Sequence, residues 1–169
     1  MRMKIARLIQ HRWFDDRHLR RALDAEALRR LESRVAQSES RHSGEIRLCV
    51  EAGLPLSYLW RDLGARERAV MLFGKLRVWD TEHNNGVLIY LLLAERAIEV
   101  VADRGLMRHV DAAQWQALVE SMRDAFRAGH IEEGLAQAVD TVGALLAQHF
   151  PLAEGQANPT ELPDRVDVR

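Results

Sequence analysis

The chain has 169 residues, of which 47% are hydrophobic and 29% are charged, a composition typical of one globular domain. Its 24 Lys and Arg residues nearly balance its 25 Asp and Glu residues, which argues against a nucleic-acid partner because such a partner requires clustered positive charge. The single cysteine excludes an internal disulfide, and no apolar run approaches the ~20 residues of a transmembrane helix. The N-terminus lacks the apolar core of a secretory signal, so we expect a cytoplasmic protein.

Residues 1–14 form a basic and mildly amphipathic segment. Met3, Ile5, Leu8 and Ile9 are interspersed with Arg and Lys. The pattern favours a short helix packed on the domain or a mobile terminus. It leaves open a peripheral contact with an anionic membrane surface.

Residues 15–151 carry alternating helix and strand patterns. Apolar residues three or four positions apart predict helices over 15–41, 56–73, 111–128 and 131–149. Alternating or continuous apolar residues predict strands over 45–51, 87–93 and 97–102. Residues 152–169 hold Pro159 and Pro163 and little apolar content, so we expect a disordered tail there.

The lengths of the connections predict the directions of the strands. Residues 94–96 can join only antiparallel neighbours, whereas the helix over 56–73 suits a right-handed crossover between parallel strands. The continuous apolar run over 87–93 indicates a central strand that is covered on both faces. Together these features predict an α/β fold, a three-layer α/β/α sandwich with a small mixed central sheet.

These directions gather polar residues at one edge of the predicted sheet. Glu45 starts the first strand, Thr81 and Asn85 precede the second, and Asp103 follows the third. Two carboxylates, a hydroxyl and an amide suit Ca²⁺ or Mg²⁺, whereas zinc is disfavoured because few imidazole or thiol groups lie nearby. The alternative is that these residues only shape turns, with Asn85-Gly86 tolerating a positive φ and Asp103 accepting local backbone N–H groups.

The ordered set of motifs resembles the TPM domain, a bacterial and plastid module, and in particular its short branch without a membrane anchor. The matching segments span residues 14–151 and are Ser43-Gly44-Glu45-Ile46-Arg47, Thr81 with residues 84–90, residues 102–106, Trp115, residues 126–135 and residues 143–151. The resemblance implies a Rossmann-like sandwich, with a TPM-like domain over residues 15–151. It also implies a divalent-cation site of the Ca²⁺ type, to which Glu45, Thr81, Asn85 and Asp103 correspond, and weak acid-phosphatase activity in some members.

Two functions follow as expectations. The first is a divalent-cation-binding interaction module that assists a membrane-associated assembly through an unidentified protein partner. The alternative is a metal-assisted phosphatase acting on phosphomonoesters, in which Arg47 or Arg104 would steady the phosphate. The module is favoured because no nucleophile has a matched base; Ser38 and His42 are close in sequence but lack the rest of a triad.

Overall fold

The computed structural model describes residues 2–153 and 155–169, with side chains from Ile5 onward. In chain order the elements are α1 (Arg2–Trp13), α2 (Asp16–Ala22), α3 (Ala25–Glu39), β1 (Glu45–Glu51), α4 (Leu56–Trp60), α5 (Ala65–Lys75), β2 (Gly86–Leu92), β3 (Ala97–Ala102), α6 (Arg104–Met107), α7 (Ala112–Arg127), α8 (Ile131–His149) and β4 (Asp167–Val168).

The four strands form one open sheet in the order β3-β2-β1-β4. β1 pairs in parallel with β2, from Glu45 opposite Gly86 to Glu51 opposite Leu92, and β2 pairs antiparallel with β3. α4 and α5 form the crossover between β1 and β2, as parallel neighbours require. The predicted directions of these strands and the mixed sheet are therefore confirmed.

Each face of the sheet carries its own apolar layer. Val87, Ile89 and Leu91 of β2 pack with residues of α3, α7 and α8, whereas Leu88 and Leu92 pack with residues of α4 and α5. All seven residues of β2 are buried, which explains why its sequence is apolar without alternation. The result is the three-layer α/β/α sandwich expected from the sequence.

Two predicted helices are each divided in the structure. The helix expected over 15–41 is interrupted at Leu23, and the side chain of Asp24 accepts hydrogen bonds from Glu26 N and Ala27 N to begin α3. The helix expected over 56–73 is interrupted where Asp62 adopts a φ of 57°. A polar cap accounts for the first difference and a left-handed residue before Gly64 for the second, and apolar periodicity alone reveals neither.

The prediction of a disordered tail over 152–169 is wrong for residues 155–169. β4 pairs in parallel with β1, with Asp167 opposite Cys49, and Leu162 and Val166 are buried. Arg47 holds the same segment through its guanidinium, which donates to the carbonyls of Pro163 and Arg165. Low apolar content suggested disorder, but this segment is held mainly by strand pairing and by the hydrogen bonds from Arg47.

The N-terminal segment forms α1, which packs on the domain. Arg7 Nε lies 2.8 Å from Glu95 Oε1, and Leu54 N donates to His11 Nδ1 at 3.0 Å. This agrees with the expected packed helix. Met1 lies outside the described residues. No helix in the described part of the chain combines the length and hydropathy needed to cross a bilayer.

The start of β2 leaves no room for a side chain. A Cβ on Gly86 would lie 2.0 Å from the carbonyl oxygen of Val78, a backbone atom that cannot rotate away. We expect Gly86→Ala to lower the free energy of unfolding by about 1–3 kcal/mol, measured by urea denaturation. The matched control is Gly74→Ala in α5, where a Cβ meets nothing within 4 Å, and this variant should gain about 0.5–1 kcal/mol. Equal stabilities of the two variants would contradict the tight approach at Gly86.

Candidate functional site

The pairing of the strands places the backbones of the predicted site residues at one edge of the sheet. Glu45 lies opposite Gly86, which directly follows Asn85. Asp103 N donates to Gly86 O at 2.9 Å, so the end of β3 adjoins the start of β2. The strand register therefore brings Glu45, Asn85 and Asp103 to one edge of the sheet, as predicted.

The turn that leads into β2 is held by its own polar side chains. Thr81 Oγ1 accepts from Asn85 N at 3.1 Å, and the amide of Asn85 donates to Ser43 Oγ at 3.2 Å. The positive φ in this turn, 51°, belongs to Asn84 and not to Asn85. Thr81 and Asn85 are thus brought into direct contact, and Ser43 joins them although the sequence alone did not indicate it as a site residue.

Two side-chain oxygens at this edge are buried without a hydrogen-bond partner among the described residues. They are Asn85 Oδ1 and Asp103 Oδ2. The other carboxylate oxygen of Asp103 accepts from Arg104 N at 2.6 Å and so caps α6, as the alternative interpretation of this residue expected. A buried acceptor left without a donor costs roughly 1–3 kcal/mol. A bound cation is one way to remove that cost, and the oxygens here are of the hard type that Ca²⁺ and Mg²⁺ prefer.

The carboxylate of Glu45 has different neighbours. Its two oxygens accept from Glu161 N and Leu162 N, each at 3.1 Å, in the C-terminal segment. Burial raises the pKa of Glu45 to about 7, so the group is only partly ionised at neutral pH. In the described part of the chain no three His, Cys, Asp or Glu side chains are close enough to hold a metal together. A cation at this edge would therefore depend on the neutral oxygens of Thr81 and Asn85.

A buried carboxyl beside this edge escaped the sequence analysis. Glu39 is 5% exposed, and its Oε1 accepts from Ile46 N at 2.7 Å. Burial raises its pKa to about 9, and the nearby charges of Glu45 and Asp164 act in the same direction. The sequence did indicate that Glu39 is buried, because it follows Leu31 and Val35 at four-residue steps and so lies on the buried face of α3.

The raised pKa of Glu39 predicts how stability depends on pH. The native protein holds this proton up to about pH 9, whereas the unfolded chain releases it near pH 4.5, so the free energy of unfolding should fall as pH rises between these values. Glu39→Gln keeps an acceptor for Ile46 N and has no proton to lose. We expect urea denaturation from pH 5 to pH 9 to show a smaller decline for this variant than for the unaltered chain.

The control for this measurement is Glu120→Gln, the same change at an exposed position of α7. It should leave the pH dependence as it is. Some decline should persist in Glu39→Gln, because the raised pKa of Glu45 contributes with the same sign. Identical slopes for Glu39→Gln and the unaltered chain would contradict the protonated state of Glu39.

The pair Ser38 and His42 is structural. His42 Nδ1 donates to Gly44 O at 3.0 Å, and its Nε2 accepts from Ser38 Oγ at the same distance. Burial lowers the pKa of His42 to about 4, which keeps the ring neutral. Both ring nitrogens are thereby used to fasten the end of α3 to Gly44, beside Glu45.

Glu51 lies at the opposite edge, as the strand directions predicted. Both of its carboxylate oxygens bind Arg68, at 2.5 and 2.8 Å, and Tyr90 Oη donates to one of them at 2.7 Å. These groups are buried together in the layer beneath α4 and α5. The charge of Glu51 is thus paired within this layer, and the positive charge of Arg68 opposes the approach of a metal cation.

A four-stranded mixed sheet between two helical layers, with an oxygen-rich edge at the starts of its parallel strands, defines a small Rossmann-like α/β/α domain. The family model of the TPM domain matches residues 18–145, and the chain belongs to this family. The resemblance found from the motifs is thus confirmed.

Solved structures share this fold. The NMR structure of BA42 protein from the psychrophilic bacterium Bizionia argentinensis is 25% identical, with a TM-score of 0.76 over 87% of this chain and 95% of that one. The N-terminal domain of a protein from P. gingivalis is 20% identical, with a TM-score of 0.61 over 78% of this chain and 82% of that one, and it supports the fold alone. Among curated proteins no sequence matches this chain.

Proposed function

We propose that this TPM-domain protein is an interaction module that binds one divalent cation of the Ca²⁺ type at the edge formed by Thr81, Asn85 and Asp103. The observation that carries the proposal is the pair of buried oxygens, Asn85 Oδ1 and Asp103 Oδ2, that have no hydrogen-bond partner among the described residues. A cation would satisfy both oxygens at once, with Asp103 supplying the charge and Asn85 a neutral ligand.

Glu45 is the fourth ligand of the proposal, and its participation is coupled to the C-terminal segment. Each of its oxygens accepts one backbone N–H group, and a carboxylate oxygen has a second lone pair. The cation would also favour the ionised form of Glu45, because a positive charge opposes the rise in its pKa that burial causes.

Ca²⁺ suits this edge better than Mg²⁺. The candidate ligands mix carboxylate, amide and hydroxyl oxygens on turns and strand ends, which matches the irregular shells that Ca²⁺ accepts. Mg²⁺ requires near-octahedral geometry and retains several waters, so its binding would depend less on Thr81 and Asn85. We therefore expect Ca²⁺ to bind more tightly than Mg²⁺.

A binding role is favoured over the phosphatase alternative. Arg47, one of the two arginines considered for holding a phosphate, donates to backbone carbonyls of the C-terminal segment. Arg104 is exposed and so stays accessible to a phosphate, but Ser38 is buried against His42 and offers no accessible nucleophile. The protein partner of the module and its location at a membrane stay predictions.

Asp103 offers a sharp test of the cation site. Asp103→Asn removes the charge while asparagine still caps α6 as well as aspartate does. The control is Asp111→Asn, the same change at the N-cap of α7. We expect Ca²⁺ to raise the unfolding temperature of the unaltered chain and of Asp111→Asn, and calorimetry to show an affinity at least about tenfold weaker for Asp103→Asn.

NMR titration would show where Ca²⁺ binds. Ca²⁺ should shift the amide resonances of residues 81–86 and 103–105 and leave those of Arg68 and Tyr90 unchanged. If millimolar Ca²⁺ and Mg²⁺ both fail to stabilise the unaltered chain, the cation site does not exist. Hydrolysis of a phosphomonoester that requires Asp103 would instead establish the phosphatase alternative.

A further inference from the structure

Exposed apolar side chains are concentrated on two neighbouring helices. Of the nine large hydrophobic side chains that are exposed in the described part of the chain, five belong to α1 and α4. They are Ile5, Ile9 and Trp13 on α1 and Leu56 and Trp60 on α4, with exposed fractions from 48% to 78%. Scattered exposed apolar residues are ordinary, whereas a cluster that includes two tryptophans marks an interaction surface.

The positions of these residues along each helix place them on shared faces. Ile5, Ile9 and Trp13 follow one another at four-residue steps, as do Leu56 and Trp60. The opposite side of α1 is the packed one, where His11 is buried and Arg7 binds Glu95. A Cβ on Gly53 would lie 2.6 Å from His11 O, so α1 is seated directly on the loop that leads from β1 to α4.

The same region has an excess of positive charge. Residues 1–21 contain seven Lys and Arg residues against two Asp, although the whole chain has a net charge of −1. Arg12, Arg17, Arg20 and Arg21 are exposed and form no ion pair with the residues that the structure describes. The acidic groups beside them are Asp15, which caps α2, and Asp16.

An open crevice joins the apolar and basic groups. It has a volume of about 610 Å³, and its lining includes Leu56 and an excess of basic over acidic side chains, namely Arg12, Arg17, Arg20 and Arg169 against Asp15 and Asp16. It lies where β1 and β4 end, since Ala52, Gly53 and Arg169 also line it. In open α/β sheets, ligands bind preferentially at this carboxyl edge of the parallel strands. The candidate cation site lies at the other edge, where β1 and β2 begin.

We infer that the α1–α4 face, defined by Ile5, Ile9, Trp13, Leu56 and Trp60 with the arginine-lined crevice, docks on an anionic phospholipid bilayer. Tryptophan side chains at the level of the headgroups, aliphatic side chains below them and guanidinium groups against the phosphates form the pattern of an interfacial helix. Arg12 lies among the apolar residues on the exposed side of α1. The excess of seven Lys and Arg residues over two Asp in residues 1–21 complements an anionic headgroup layer.

The test uses the full chain and sedimentation with vesicles, in EDTA. Binding is expected to vesicles that contain phosphatidylserine and to be much weaker for pure phosphatidylcholine, with a decline at high salt because the charges are exposed. Trp13→Ala should weaken binding at least about tenfold through the loss of buried apolar area. Its control is Trp79→Ala, an exposed tryptophan near the opposite edge, which should bind as the unaltered chain does.

The contribution of the charge is tested by the double variant Arg17→Gln with Arg20→Gln. It should lower the affinity for the anionic vesicles by about 25-fold, from about fivefold for each arginine. Arg108→Gln with Arg123→Gln, a pair of exposed arginines elsewhere, should have no effect. Both double variants should keep the unfolding temperature of the unaltered chain. The tryptophan emission of the unaltered chain should shift to shorter wavelengths on vesicles, and this shift should be smaller in Trp13→Ala, which keeps Trp60 on the same face.

Three outcomes would overturn the inference. They are no preference for anionic vesicles, binding that appears only when Ca²⁺ is added, and a dimer in solution that Trp13→Ala dissociates. The last would show that a second copy covers the face. Because the vesicle assay is run in EDTA and the cation assay without lipid, either proposal can fail while the other stands.

Discussion

The parallel pairing of β1 with β2 is the constraint on which the rest of the structure depends. With Glu45 opposite Gly86, the starts of both strands meet at one edge and their ends at the other. The crossover through α4 and α5 covers one face, and the remaining long helices must then cover the second. The same pairing separates the chemistry of the molecule, with hard oxygens at one edge and exposed arginines at the other. The cation site and the membrane face that we propose would therefore share no residue.

Carboxyl groups are buried in this arrangement, and backbone donors offset part of the cost of their desolvation. Glu39 receives the N–H group of Ile46, and Glu45 receives those of Glu161 and Leu162. The desolvation of both groups exceeds the benefit of these bonds, which is why the pKa of each is raised. The ionised forms of these two carboxyl groups are therefore unfavourable at this edge, and binding of a proton or a cation would remove that cost. In this respect the two groups differ from Glu51, whose charge is neutralised by Arg68 within the same layer.

The sequence was sufficient for the layers, for the strand directions and for the common edge of Glu45, Asn85 and Asp103, because periodicity and connection length determine these features. It was insufficient for β4, whose two residues carry no strand pattern of their own and are held by contacts with β1. It also missed Ser43 as a partner of Asn85, since that contact spans 42 positions and depends on the turn after α3. The contact between the carboxylate of Glu45 and the C-terminal segment could not be predicted. Its donors are backbone N–H groups, which every residue except proline carries, so the sequence does not mark them.

The buried position of Cys49 has a practical consequence. This thiol is fully buried on β1 opposite Asp167 of β4, and burial raises its pKa to about 12. Alkylating reagents act on the thiolate in solvent, so the folded protein should be almost inert to them. As the only cysteine of the chain, Cys49 makes the rate of alkylation a measure of how often the structure around it opens. This natural side chain thus reports, with no added label, on the opening of the apolar layer that β1 forms with α4 and α5.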